Sequence, residues 1–264
     1  MSTGMEFDAA AARRLEKVYL TPDVVAQRGA VLEVLALEAG ERVLDIGSGP
    51  GLLARDMAEA VGAEGRVRGV DLSADMLVLS KARCAAQPWV EFEIADAAGL
   101  PYPDAAFDAA VSTQVYEYVP DIPAALAELH RVLRPGGRAL ILDTDYGSLV
   151  WHTQDRARMD RIMAAWDEHF VHADLPRVLS PRLRAAGFTI LRREVIPLFN
   201  PELHEDTFSH GVIDSIAAFA AGRKGVSEAE AQAWAAELRA LGAKGDYFFS
   251  LNRYLFLAEK PGAP

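Results

Sequence analysis

Three glycines at alternate positions, Gly47, Gly49 and Gly51, follow a β-branched and apolar run with an acid, Asp45, inside it: VLDIGSGPG, from Val43 to Gly51. Glycine admits positive φ and lets a ligand come against the backbone, so such a loop between a strand and a helix can present N–H groups to a bound molecule. The next strand candidate ends in Gly69-Val70-Asp71-Leu72-Ser73. An acid at that tip can accept both hydroxyls of a ribose, and Ser73 can cap the helix that follows. A third strand ends in Ile94-Ala95-Asp96-Ala97, where a carboxylate can meet the exocyclic amino group of an adenine. Plain readings stand beside these: a tight turn with no ligand for the glycines, a turn-forming Asp for Asp96. Leu52 stands where the G-x-G-x-x-G dinucleotide fingerprint needs glycine, and no lysine follows in P-loop register.

The elements that must position these residues are legible from periodicity. Strand-like runs at Arg42–Ile46, Arg66–Val70, Val90–Ala95, Phe107–Ser112 and Arg138–Asp143 alternate with amphipathic stretches, the pattern of βαβ units and a parallel sheet. Leu53, Met57 and Val61 recur at helical spacing, as do Ile122, Leu126, Leu129 and Leu133 behind the cap candidate Asp121. One more helix is expected over Val24–Leu37. Beyond Asp143 the alternation breaks. Helices are expected around Met159–Phe170, Phe208–Phe219 and after the capping box Ser227/Glu230, with long strands at Phe188–Pro197 and Tyr247–Glu259. The division that follows is an N-terminal helical cap over 1–40, a ligand-binding core over 41–145 and a remainder over 146–264 carrying helical inserts, all in one compact domain.

Composition narrows the function classes. The chain has 264 residues, 51% of them hydrophobic, which is enough to bury one large core. No stretch approaches the ~18 to 20 apolar residues of a membrane span, and the N-terminal residues lack a signal-peptide h-region, so a cytoplasmic chain is expected. A formal net charge of −11 disfavours a nucleic-acid partner. The single cysteine, Cys84, is expected to be a packed thiol. The six histidines form no ligand cluster, and no metal is expected.

VLDIGSGPG, VDLS, ADAAGLPYPDAAFDAAVS, QVYEYVPD and LRPGG resemble, in order and spacing, the motifs of class I S-adenosylmethionine-dependent methyltransferases, especially the ubiquinone and menaquinone C-methylase group; the resemblance covers about residues 40 to 145. It implies an α/β, doubly wound, Rossmann-like fold: a seven-stranded, mostly parallel sheet with an antiparallel last strand. It implies S-adenosylmethionine as cofactor, its methionine moiety and sulfonium laid across Gly47, Gly49 and Gly51 after Asp45, and Asp71 on the ribose. Leu72 and Met76 would flank the adenine, Asp96 would read its amino group, Ala97 would offer its N–H, and Gln114 would face the sulfonium side. Ordinary core burial is the other role open to Leu72 and Met76. In many relatives the segment after the fourth strand carries a leucine and a histidine where this chain has Tyr116 and Tyr118, so an imidazole base is absent there; Tyr118 is left to donate a hydrogen bond or to pack.

Methyl transfer asks the protein for alignment, exclusion of water and, for some acceptors, removal of a proton. Asp145 and His152, where the chain leaves the fifth strand, are the sequence candidates for orienting or deprotonating an acceptor, with Tyr118 as the fallback. Tyr19 and Arg28 are placed to close over the cofactor, Arg28 pairing with its carboxylate. The function expected is methylation of O, N or C on a small, partly apolar acceptor. The other readings are a nucleotide-dependent oxidoreductase, against which the glycine register stands, and a cofactor-binding sensor or interaction module without transferase activity.

Overall fold

The computed structural model describes residues 9–262, with side chains from Arg13 onward; residues 1–8 of the expected cap lie outside the described residues. Two helices come first, α1 (Ala9–Tyr19) and α2 (Pro22–Leu35). Then β1 (Arg42–Ile46), α3 (Leu52–Val61), β2 (Arg66–Asp71), α4 (Ala74–Arg83), β3 (Val90–Ile94) and β4 (Phe107–Thr113) follow the expected alternation. A 3-10 turn at Tyr116–Tyr118 leads into α5 (Ile122–Val132) and β5 (Leu133–Trp151). The rest is α6 (Arg156–Trp166), a 3-10 turn at Asp167–His169, α7 (Pro176–Ala185), β6 (Thr189–Asn200), α8 (Phe208–Ala220), α9 (Glu228–Lys244) and β7 (Phe249–Glu259).

The strands form one seven-stranded sheet in the order β3-β2-β1-β4-β5-β7-β6. The first five pair in parallel, whereas β7 runs antiparallel to both β5 and β6. This is the expected doubly wound fold, and the order reverses beside β1, so the crevice between the carboxyl ends of β1 and β4 is where such a sheet takes a ligand. Val43 to Ile46 are all buried because helices cover both faces of the central strands. Met57 and Val61 of α3 share a buried cluster with Val43 of β1 and Leu140 and Leu142 of β5 on one face; Leu126 and Leu129 of α5 share one with Ile46 and Ile141 on the other. Side chains of this kind contribute roughly 1.5 to 3 kcal/mol each when fully buried. The caps expected from sequence form: Ser73 Oγ accepts from the Met76 amide, Asp121 from Ala124 and Ser227 from Glu230.

β5 runs well past Asp143, and its parity decides where the following residues point. Ala139 and Ile141 share a cluster with Leu179 and Leu183 of α7, while Leu140 and Leu142 face the opposite side. The register with β7 then slips between Asp145 and Val150. Beyond that irregularity α6, α8 and α9 enclose a third cluster, built on Trp151, Met159, Ile162, Trp234 and Phe249. Two indoles there reach polar partners, Trp151 Nε1 donating to Tyr247 Oη at 2.7 Å and Trp234 Nε1 to Met159 Sδ at 3.3 Å. Among the described residues no helix is long and apolar enough to cross a membrane.

Candidate active site

A cavity of about 1000 Å3 opens over the carboxyl ends of β1, β2 and β4 and continues under α1 and α8. Its floor is the glycine loop. The amides of Gly47 and Ser48 donate to the Val70 carbonyl at 2.8 and 2.9 Å, and the Gly49 amide donates to Asp71 Oδ2 at 2.9 Å, so the loop is tied to β2. All three glycines have positive φ, but they do different work. A Cβ on Gly47 would collide with Val115, and one on Gly51 would come within 2.8 Å of the Ser80 backbone; one on Gly49 would meet nothing within 4 Å. Gly47 and Gly49 line the cavity. Gly51 does not: it lets α3 begin against α4, a packing role in place of the expected ligand contact.

Asp71 is mostly buried, and burial raises its pKa against the pull of the Ser73, Gly49 and Leu72 amides. Its Oδ1 accepts from the Ser73 amide at 2.8 Å. Leu72 and Met76 both line the cavity, but Leu72 is 69% exposed on its rim whereas Met76 is 3% exposed. Asp96 and Ala97 complete that end. Asp96 Oδ1 accepts from the Ala98 amide at 2.8 Å, the turn geometry that its plain reading required. Gln114 also lines the wall and holds φ +60, rare for a side chain of its type. Its Oε1 accepts from Thr144 Oγ1 at 2.5 Å. Asp45 does not reach the cavity. It lies beneath the loop at 1% exposure with Oδ2 unpartnered, and burial, then the Asp71 charge, pushes its pKa up to about 7.

Tyr19 and Arg28 line the cavity as expected, but Arg28 is already engaged, Nε donating to Asp56 Oδ2 at 2.8 Å and Nη1 to the Tyr19 carbonyl at 3.2 Å. The two residues proposed from sequence as proton acceptors lie elsewhere. Asp145 falls on the α7 face of β5, where Arg177 holds both its oxygens at 2.8 Å and the Gly147 amide adds a bond at 3.0 Å. His152 follows the inward-facing Trp151 and is therefore turned to solvent, its amide bonded to the Phe248 carbonyl. Parity in β5 takes Asp145 away from the cavity, and His152 is exposed just past the end of that strand.

Other residues take that place. Glu117, in the turn after β4, is fully buried; Oε2 accepts from the Thr144 amide at 3.0 Å and Oε1 has no partner among the described residues. Burial pushes its pKa up to about 7, against the Thr144 amide, Arg253 and the phenols of Tyr118 and Tyr146. Tyr118 Oη lies 3.3 Å from Nε2 of His169, and the rings meet edge to face. His169 is packed on Trp166, and burial followed by the Arg223 charge lowers its pKa to about 4, so its ring is neutral at ordinary pH. Arg253 of β7 is the charged member of a row otherwise made of Phe249, Leu251 and Leu255. Glu117, Tyr118, Tyr146, His169 and Arg253 all line the cavity. Two cues for them were present in sequence: an acid between two tyrosines in QVYEYVPD, and a lone arginine at inward parity in an aromatic strand.

Residues 44–141 match the family described as "Methyltransferase domain". A 2-phytyl-1,4-naphtoquinone methyltransferase of Nostoc punctiforme is 45% identical over 114 residues, 41% of this chain and 48% of that protein. The chain spans less than half the length of the curated relatives it matches. Among solved structures, a putative methyltransferase from Bacillus halodurans superposes with a TM-score of 0.65 at 19% identity, covering 89% of this chain and 99% of its own. The 4+2 cyclase SpnF does so with a TM-score of 0.60 at 25% identity, covering 91% and 82%. Residues 44–141 thus match a methyltransferase domain, the sheet has the fold of the solved methyltransferase structure, and the curated relatives include quinone methyltransferases.

Proposed function

We propose that this chain transfers the methyl group of S-adenosylmethionine to a small, partly apolar acceptor. The observation that carries this reading is the continuity of one cavity from the glycine loop to Glu117, a fully buried acid with an oxygen unpartnered among the described residues. The residues present fit the cofactor: open space above Gly49, a carboxylate held by backbone amides at Asp71, and an exposed leucine at the rim. In this reading the backbone of Gly47 and Gly49 holds the methionine end and Asp71 the ribose. Leu72 and Met76 flank the adenine, Asp96 and Ala97 read its edge, and Gln114 faces the sulfonium. Tyr19 closes the cavity from above.

The bound cofactor supplies a methyl group on a positively charged sulfur, a good leaving group. The chain aligns the acceptor and keeps water out, and orientation of this kind is worth ~7 to 11 kcal/mol. Glu117 takes the acceptor's proton on Oε1, a contribution of about 10² to 10⁴-fold. Tyr118 and the neutral His169 hold the Glu117 side of the wall in position. The net charge of −11 supports a small-molecule acceptor over nucleic acid. The same proposal divides the chain into a cap up to residue 40, the cofactor-binding core and, after residue 145, the acceptor side.

The likeness to a named cyclase favours a second reading, in which the cavity binds S-adenosylmethionine without transferring its methyl group. A thermal melt with S-adenosylhomocysteine and, separately, NADH tests the first requirement. At ~100 times its dissociation constant a ligand of the native state adds ~2.7 kcal/mol, which raises the midpoint by roughly 5 to 10 °C. A shift with NADH alone overturns the proposal. Label from methyl-tritiated S-adenosylmethionine appearing in any member of an acceptor panel then separates transfer from binding.

A further inference from the structure

Arg253 sits in an apolar row of β7, is 2% exposed and has no partner for Nε among the described residues. Its guanidinium is braced by a neutral group: Nη1 donates to Oε1 of Gln27, itself 6% exposed. The Phe208 ring lies 4.9 Å from Cζ on one side. The acids whose charge reaches Arg253, Glu117 and Asp143, make no hydrogen bond to it and are themselves pushed toward their neutral forms by burial. This buried cation is therefore costly unless a further anion meets it, and it lines the cavity from which one could come. Glu117 lines the same cavity with its own unpartnered oxygen. Arg253 and Glu117 thus bound one cavity, each with a polar atom that has no partner among the described residues, and an acidic hydroxyl entering between the two side chains would satisfy both.

We infer that Arg253, fixed by Gln27, anchors an ionised oxygen of the acceptor, so that the substrate class is an oxygen acid (a phenol, an enol or a carboxylic acid) and not an amine. This rests on the methyltransferase reading above. An ammonium acceptor would meet like charge from both Arg253 and the sulfonium. For a phenol or enol the acceptor's O–H bond breaks and its proton passes to Glu117 Oε1. The electron pair left on oxygen, or on a carbon conjugated with it, forms the bond to the methyl carbon, and the carbon–sulfur bond breaks with its pair going to sulfur to leave a neutral thioether. Arg253 holds the oxyanion until its charge is consumed by the new bond, a positioning and specificity role.

The test is calorimetric titration of the protein saturated with S-adenosylhomocysteine, using three probes of similar shape: benzoate, benzamide and benzylamine. Benzoate is expected to bind the wild type at least about tenfold more tightly than benzamide, and benzylamine most weakly. Arg253→Met should level benzoate with benzamide, and Arg253→Lys should keep part of the preference; if the methionine variant does not fold, as judged by circular dichroism, the wild type and the lysine variant decide. Equal binding of benzoate and benzamide, tighter binding of benzylamine, or no binding of any probe overturns the inference. A tenfold or greater loss of S-adenosylhomocysteine affinity in the Arg253 variants also overturns it, because the anchored anion is then the cofactor's own carboxylate. A wild type that does not bind S-adenosylhomocysteine refutes the methyltransferase reading itself.

Discussion

The Gly49 amide donates to the Asp71 carboxylate at 2.9 Å, so the residue placed to hold the ribose also sets the height of the loop that would hold the methionine end. Asp71→Ala removes both effects. It should weaken S-adenosylmethionine by roughly 10 to 100-fold or more, since hydrogen bonds to a charged group are worth about 1.5 to 3 kcal/mol each. Binding of methionine, which lacks the ribose, should fall much less. Equal losses for the two ligands in a calorimetric titration would count against Asp71 as the ribose partner.

The neighbouring glycines separate ligand binding from packing. Gly49→Ala has open space around its Cβ, so its only cost is the strain of a side chain at φ +51, about 1 to 2 kcal/mol, and it should fold while losing affinity for S-adenosylhomocysteine. Gly51→Ala pushes a methyl against the Ser80 backbone at φ +76 and should cost about 1 to 3 kcal/mol of stability. That corresponds to a melting midpoint lowered by roughly 2 to 10 °C. A thermal melt of the two variants side by side, followed by titration of whichever folds, checks the contrast.

Glu117→Gln should lower methyl transfer by about 10² to 10⁴-fold with cofactor affinity unchanged. Wild-type turnover should rise with pH through about 7 as Glu117 ionises, and the glutamine variant should lack that limb. A variant that keeps wild-type turnover would remove Glu117 from the reaction.

Stability should report the same group. Glu117 ordinarily ionises at 4.5 and in the fold at about 7, so between these values the folded chain keeps a proton that the unfolded chain has released. The stability associated with the neutral carboxyl is complete below about pH 4.5 and is lost as the pH rises through about 7. Glu117→Gln should therefore gain on the wild type in denaturant unfolding as the pH rises from about 5 to about 8.

Asp145→Ala and His152→Ala should both retain methyl transfer to within about twofold per folded molecule. The first loses the bidentate bond to Arg177 and should melt slightly lower; the second, exposed and bonded only through its backbone, should melt with the wild type. Loss of turnover in either variant would return the proton acceptor to the end of β5.

The cofactor half of the cavity was legible because a ligand that touches backbone imposes residue types on short, contiguous segments. Gly47, Gly49 and Asp71 stand within such segments, and their places at the ends of β1 and β2 follow from strand length alone. The acceptor half has no such signature. Glu117, His169 and Arg253 come from a turn after β4, a turn after α6 and the last strand, and only tertiary packing brings them to one wall. Asp145 and His152 lie outside the cavity for a narrower reason: hydrophobic patterning ends β5 at Asp143, whereas pairing with β7 carries it to Trp151, so Asp145 takes the side that strand parity gives it and His152 lies beyond an irregularity in register that patterning does not show.

Cys84, at the end of α4, is 4% exposed, and its Sγ lies 3.9 Å from the Gly51 carbonyl, behind the glycine loop. Burial pushes the thiol up to about 11, so in the closed fold it is neither accessible nor ionised enough to be alkylated. Reaction with a maleimide must wait until α4 and the loop part, and the slow rate of modification becomes a clock for that opening. A molecule seated on the other side of the loop would slow the clock without ever touching the sulfur.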